Sequence, residues 1–257
     1  MLQINHLNKS YATEHGLVHA VGDVSFGVAR GEFLAIVGSS GAGKTTLLRM
    51  LAGLLAPSAG QIVFDGQPVT APPRAFAVVF QDYARSLFPW FSVQRNVELP
   101  LVNLIADRGE RLARVEQMLG RVGLADHSRK RPAQLSGGQQ QRVAIARALA
   151  CQPEVLIMDE PFASVDAQTR NELEDLMLSI KQEAGTTVLF VTHDVDEAVY
   201  LGDRVLVLSR SPSTVAREVI VDLPAGRDQI TTKALPAFAA ARAAVLSSIV
   251  EQAAVPA

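Results

Sequence analysis

The sequence predicts an α/β fold: a mainly parallel sheet core, an antiparallel β flank and an inserted α-helical subdomain. Three observations carry this. Five short apolar runs, "FLAIV" 33–37, "FAVVF" 76–80, "VLIM" 155–158, "VLFV" 188–191 and "VLVL" 205–208, are continuous and β-branched. Strands buried on both faces of a helix-covered parallel sheet have that composition. Helical periods alternate with these runs, and the interval 81–154 contains none of them.

Residues 2–28 read as shorter strands with turns, such as "HAVGDVSFGV", forming the antiparallel flank. Residues 44–52 are rich in leucine and read as a helix. Leu112, Val115, Leu119 and Val122 keep helical spacing, which makes the interval a helical subdomain leaning on the sheet. Leu173, Leu176, Met177 and Ile180 repeat at i, i+3, i+4, i+7. The tail carries one more strand-like run, "TVAREVIVDL". It ends in a helix expected to place Phe238, Ala241, Val245, Leu246 and Ile249 on one face. The organisation expected is a core with its flank in 1–81 and 152–215, a helical subdomain in 82–151 and a tail in 216–257.

Composition bounds the function. The 257 residues are 48% apolar and 19% charged, as in a folded globular chain with a sizeable core. A net charge of −2 and a pI of about 6.2 give no electrostatic footprint for nucleic acid. The single cysteine, Cys151, leaves no intrachain disulfide and fits a reducing compartment. The N-terminus "MLQINHLNKSY" has no basic stretch followed by a long apolar one, so no signal peptide is expected. No run approaches the roughly eighteen apolar residues of a membrane span. The expectation is a soluble chain whose link to a membrane comes through a partner.

"GSSGAGKTT", 38–46, fits the G-x-x-x-x-G-K-[ST] pattern, follows a strand and opens a helix. Gly38, Gly41 and Gly43 let the backbone of Ser39, Ser40 and Ala42 curl so that its N–H groups face an anion. The helix N-terminus adds positive potential. Lys44 would reach the β- and γ-phosphates, and Thr45, followed by Thr46, would offer a hydroxyl to Mg²⁺. In "VLIMDEP", 155–161, an apolar strand ends in two acids, which must emerge at its C-terminal tip, where ligands sit in open α/β sheets. Asp159 is placed to hold Mg²⁺ through water. Glu160 faces otherwise and could polarise an attacking water as general base.

A second turn, "LSGGQ", begins another helix at 139–150. Its first N–H groups lack intrahelical partners and form an anion site by the same physics as the first turn.

With the P-loop, "LSGGQ" and "MDEP" in that order, the chain resembles the ATP-binding cassette (ABC) ATPases from about residue 2 to 210. The resemblance implies a P-loop NTPase fold, ATP and Mg²⁺ as ligands and ATP hydrolysis as the activity. It implies that Tyr11 stacks on adenine. It makes Gln81 the glutamine that approaches Mg²⁺ and the attacking water, Asp166 the D-loop aspartate, and His193 the histidine that contacts the γ-phosphate. The family's D-loop usually reads A-L-D, and here it reads Ser164-Val165-Asp166. The resemblance also answers why a second phosphate turn exists. Two cassettes pair head to tail, and Ser136, Gly137, Gly138 and Gln139 of one close on the nucleotide held by the other.

The remaining partners follow from the same resemblance: transmembrane permease subunits, with a solute-binding protein engaged indirectly, at the cytoplasmic face of the membrane. "DYARSLFPWF", 82–91, gathers Tyr83, Phe88, Trp90 and Phe91 without helical or strand period. An aperiodic aromatic cluster suggests a docking groove, and in the importers of the family that region receives a coupling helix. "LFPWFSVQRNVELPL" looks most like the nitrate, sulfonate and taurine branch. Two other roles stay open: a soluble ABC ATPase in DNA repair or translation, and the ATPase of a split exporter. His6, His15, His19 and His127 read as structural. "HGLVH" lacks a third ligand, and "RKR" 129–131 reads as a solvated loop.

Overall fold

The computed structural model describes residues 1–14, 16–82, 86–163 and 165–254. His15, Tyr83 and Ser164 lie outside the described residues.

The chain opens with a long hairpin, β1 (Leu2–Thr13) and β2 (Gly16–Val28), paired antiparallel from Leu2↔Val28 to Thr13↔Gly16. The sequence suggested shorter strands here. The polar stretches do not end the strands, because bulges absorb them: the register shifts between Ile4 and Leu7, where His6 takes φ 50°, and Asp23 opposite takes φ 56°. Beyond α1 (Lys44–Leu51), β4 (Ala59–Phe64) joins β1 antiparallel and turns into the short β5 (Gln67–Pro68). The flank sheet has the order β2-β1-β4-β5. Strands β4 and β5 are an addition to the sequence reading. Their signal is the Asp65-Gly66 pair, both at positive φ (45° and 80°), as a tight hairpin turn requires. Only Ile62 of β4 is fully buried, so no apolar run marked the strand.

The central sheet contains β3 (Phe33–Gly38), β6 (Phe76–Val79), β7 (Val155–Asp159), β8 (Thr187–Val191), β9 (Arg204–Leu208) and β10 (Val215–Ile220), in the order β10-β9-β3-β8-β7-β6. All neighbours are parallel except β10, which runs antiparallel to β9. The five apolar runs are the five parallel strands. Side chains alternate between two cores, as a period of two dictates. Leu34, Ile36, Ile157, Leu189 and Leu206 face the flank and α1. Phe33, Ala35, Leu156, Met158 and Phe190 belong to a second core with the remaining helices. There Phe190 stacks at 5.7 Å on Phe33 and 5.4 Å on Phe162. Each such fully buried ring contributes roughly 2–3 kcal/mol.

Between β6 and β7 the described residues form helices, among them α2 (Val93–Glu98), α3 (Arg108–Arg121) and α4 (Gly137–Ala150). Helices α5 (Ala167–Ala184), α6 (Val195–Leu201) and α7 (Pro236–Ala254) complete the second core. Side-chain caps start most of them: Ser92, Asp107, Ser136, Asp166 and Asp194 each accept a backbone N–H of the first turn. The tail folds back on the body. Arg227 Nη1 donates to the carbonyls of Tyr200 at 2.6 Å and Gly202 at 3.0 Å, and Arg242 Nε meets Asp196 Oδ1 at 2.5 Å. One expectation is corrected here. Leu246 lies on the exposed side of α7, and the buried stripe runs through Phe238, Val245 and Ser248 with Ala241 and Ile249 at its margins. The 3.6-residue period puts Ser248 rather than Leu246 in line with Val245. No helix of the described residues is long and apolar enough to cross a membrane.

Candidate active site

The C-terminal ends of β3, β7 and β8 deliver the candidate residues to one cleft. Gly38 ends β3, and the loop that follows opens α1 with Gly43 as its N-cap at φ 74°. A Cβ at Gly43 would lie 2.6 Å from the carbonyl oxygen of Ala20, so only glycine lets β2 wall the loop this closely. Ser40, Gly41, Ala42, Gly43, Lys44, Thr45, Thr46, Gln81, Glu160 and His193 line a cleft of about 600 Å³. Val18, Ala20 and Ser211 complete its wall. These three carry no local sequence signal, because pairing of β2 with the turn after β9 brings them in (Gly22 N–H to Ser213 O, 2.8 Å).

Lys44 is 8% exposed, and its Nζ donates to the carbonyls of Gly38 at 2.9 Å and Ser39 at 3.1 Å. Burial lowers its pKa, and the charges of Glu160 and Asp159 oppose that shift. Asp159 ends β7 and is 3% exposed. Burial pushes its carboxyl up, while a hydrogen bond from Thr45 holds it down. Its Oδ1 is buried without a hydrogen-bond partner.

Glu160 follows at φ 44°, which turns its side chain away from that of Asp159. Its Oε2 accepts from Gln81 Nε2 at 3.2 Å and lies 3.1 Å from His193 Nδ1. His193 is set by β8 and the cap of α6. Tyr11, half exposed on β1, reaches Thr46 Oγ1 with its hydroxyl at 3.4 Å, which places its ring beside the P-loop helix.

The fit of Mg²⁺ can be judged on these atoms. Thr45, Gln81 and Asp159 would offer oxygens only, which suits a hard cation. The orphaned Asp159 Oδ1 is the polar atom such a cation would satisfy. Among the described residues no three His, Cys, Asp or Glu side chains converge on a metal site, so the ion would need further oxygens from a phosphate ligand.

The second turn lies elsewhere. Ser136 Oγ accepts from Gln139 N–H at 3.3 Å and Gln139 Oε1 accepts from Ser136 N–H at 3.1 Å, a reciprocal cap that starts α4. Gly137 and Gly138 form its first turn. Ser136, Gly138 and Gln139 line a separate cleft with Asp166, Thr169 and Arg142. Asp166 accepts from Thr169 N–H at 3.0 Å and Oγ1 at 2.8 Å, which holds its carboxyl below the usual range. The two clefts share no residue. His127, taken from the sequence as structural, places Nε2 3.2 Å from Gln139 Nε2. Nothing local predicted that contact.

The aromatic cluster is packed on itself. Phe88 meets Trp90 and Phe91 at 5.6 Å, yet Trp90 stays 63% exposed.

Comparison with known proteins agrees with these features. The family model described as ABC transporter matches residues 21–163. The nitrate import ATP-binding protein NrtD of Synechocystis sp. is 45% identical over 87% of this chain and 83% of its own length. The aliphatic sulfonates import ATP-binding protein SsuB 1 of Xanthomonas axonopodis pv. citri is 44% identical over 89% and 88%. Among solved structures, a dimeric post-hydrolysis state of the ATP-binding cassette MJ0796 bound to ADP and Pi superposes with a TM-score of 0.78. It is 32% identical and covers 86% of this chain and 98% of that one. The chain belongs to the ABC transporter family, as its ATP-binding subunit; it is an ATPase with the P-loop NTPase fold.

Proposed function

We propose that this chain powers solute import as one half of a head-to-tail pair of cassettes, bound to permease subunits at the cytoplasmic face of the membrane. The observation that carries the pairing is the separation of the two anion-binding turns into clefts that share no residue. A nucleotide in the P-loop cleft leaves the Ser136 turn of the same chain without a ligand, and a two-fold partner supplies one. The dimeric relative and the import-named relatives support this reading. The solute class follows those names: nitrate, sulfonate or a similar small oxyanion, met by a solute-binding protein and the permease rather than by this chain.

Within the site, the P-loop amides and Lys44 would hold the phosphates, and Tyr11 the adenine. Thr45, Asp159 and Gln81 would hold Mg²⁺, whose charge offsets that developing on the phosphates. Glu160 would take the proton of the attacking water, with Gln81 and His193 orienting the carboxylate. Ser136, Gly137, Gly138, Gln139 and Asp166 would complete the site of the opposite copy. Hydrolysis removes the group gripped from both sides, so the seam loosens and the helical subdomain moves relative to the core. The exposed Trp90 and its ring neighbours would carry that movement to the permease.

The test is the Glu160→Gln variant with ATP and Mg²⁺ on a size-exclusion column. A stable dimer that dissociates when ATP is removed is expected. A monomer under saturating ATP would defeat the pairing.

A further inference from the structure

His193 sits between two residues that are pinned from behind. Thr192 Oγ1 donates to Glu197 Oε2 at 2.6 Å and accepts from Asp194 N–H at 3.0 Å. Asp194 Oδ1 accepts from the N–H groups of Asp196 and Glu197 at 2.8 and 3.2 Å. The side chains of Asp194 and Glu197 then converge on one cation that belongs to another element. Arg170 Nη1 lies 3.4 Å from Asp194 Oδ2, and its Nε lies 3.4 Å from Glu197 Oε1. Arg170 is in the first turn of α5, and its own N–H donates to the carbonyl of Asp166 at 2.9 Å.

Stability does not account for this arrangement. Glu197 is 5% exposed, and Arg170 Nε is buried in ion-pair range without hydrogen-bond geometry. Burying the Glu197 carboxylate costs desolvation, and the Arg170 and Asp194 side chains, 30% and 34% exposed, pair where solvent screens most of the attraction. What the arrangement does supply is a fixed distance between the start of α5 and the segment 192–194.

We propose that Arg170 is a positioning residue for ATP hydrolysis: by gripping Asp194 and Glu197 from α5, it keeps His193 within reach of Glu160 and locks the His193 segment to the Asp166 turn. The proposal rests on the assignment of Glu160 and His193 to the hydrolytic step. Movement of the Asp166 turn, as a partner cassette engages it, then reaches His193 through one guanidinium.

The grip depends on Glu197 being charged. Burial pushes its carboxyl up to about 7, Thr192 opposing and Asp194 and Glu174 adding to the shift before Arg170 offsets part of it. Glu174, from α5, in turn faces Lys233 of the tail at 3.5 Å and accepts from Gln229 at 2.9 Å. Asp196 on the same helix as Glu197 is taken by Arg242 of α7. Below neutrality Glu197 becomes a neutral acid and Arg170 loses half of its hold.

The experiment compares kcat and KM for Mg-ATP as a function of pH in the wild type, Arg170→Ala, Arg170→Lys and Glu197→Gln. At about pH 8, Arg170→Ala should lose about tenfold or more in kcat with KM changed by less than about threefold. Arg170→Lys should recover part of the loss. The wild type should show an acid limb near neutrality that is missing from Arg170→Ala and Glu197→Gln. If Arg170→Ala does not fold, Glu197→Gln, which keeps an acceptor for Thr192, decides the matter by the same limb. A kcat for Arg170→Ala within about twofold of wild type, or an unaltered acid limb in Glu197→Gln, would overturn the proposal. Glu160→Gln is measured alongside. Full hydrolysis by that variant would overturn the underlying assignment, whereas an inactive Glu160→Gln beside a normal Arg170→Ala would overturn the role of Arg170 alone.

Discussion

Oε2 of Glu160 lies 3.1 Å from Nδ1 of His193, and the same oxygen accepts a hydrogen bond from Gln81. An oxygen engaged twice is held in place, which fixes the direction of the carboxylate and leaves Oε1 as the oxygen with capacity to accept a proton. Replacing His193 with alanine removes one of the two contacts and leaves Gln81 as the remaining hold on the carboxylate. We expect kcat to fall by about a hundredfold, within the range of general acid–base effects, with KM nearly unchanged. A phosphate-release assay reads this directly, and a loss of less than about threefold would remove His193 from the hydrolytic step.

Lys44 is a buried cation resting on two loop carbonyls, an arrangement that costs desolvation until an anion arrives. Lys44→Met should weaken ATP binding by about tenfold or more, the size of one or two charge-assisted hydrogen bonds. It should leave the melting temperature equal or higher. Titration with a fluorescent nucleotide, paired with thermal melting, separates the two effects. Unchanged affinity would count against a phosphate role.

Gly43→Ala tests the closeness of β2 to the P-loop. The added carbon would meet the Ala20 carbonyl at 2.6 Å in a backbone with φ 74°. The loop has to move, so both nucleotide affinity and stability should fall, the latter by about 1–3 kcal/mol. A variant that binds ATP as tightly as wild type would mean that the loop tolerates displacement.

Glu197 makes stability depend on pH. Its folded pKa of about 7 lies above the ordinary 4.5. Between those values the folded state holds a proton that the unfolded chain has released, so this group's contribution to stability declines as pH rises from about 4.5 to 7. Glu197→Gln should match wild type at low pH and exceed it above neutrality, by at most about 3 kcal/mol. Urea midpoints at about pH 5 and pH 8 check this. A variant less stable than wild type at the higher pH would contradict it. Gained stability with lost turnover would be the joint signature of this group.

Trp90→Ala should leave hydrolysis by the isolated cassette unchanged, because the ring is 63% exposed and rests on Phe88 and Phe91 rather than on the cleft. If the proposed docking to permease subunits holds, their co-purification with this chain from solubilised membranes should fall sharply. Undiminished co-purification would move the docking surface elsewhere.

How much was legible in the sequence depends on the range of the interaction. The five parallel strands were visible because burial on both faces forces a continuous apolar run, and the P-loop and the Ser136 turn because each is a glycine turn opening a helix, formed by backbone within a few residues. Strands β4 and β5 escaped because one exposed face dilutes the pattern, and the Asp65-Gly66 turn was the one local clue. Leu246 was misplaced because alanine-rich α7 offers little contrast between its faces, so packing against the core set its rotation.

The sequence by itself determined the two glycine turns, the acid pair at a strand end and the five buried strands, and the order in which they come along the chain. Only the tertiary structure decided who meets whom. It set Gln81 and His193 on one oxygen of Glu160, left Asp159 Oδ1 without a protein partner, put the Ser136 turn in a different cleft from Lys44, and passed Arg170 from one helix to the segment holding His193. The reason is physical. Backbone conformation and short-range periodicity are properties of neighbours in the chain, whereas side chains separated by tens of residues are brought within hydrogen-bond distance of one another only by the packing of the sheet and its helices.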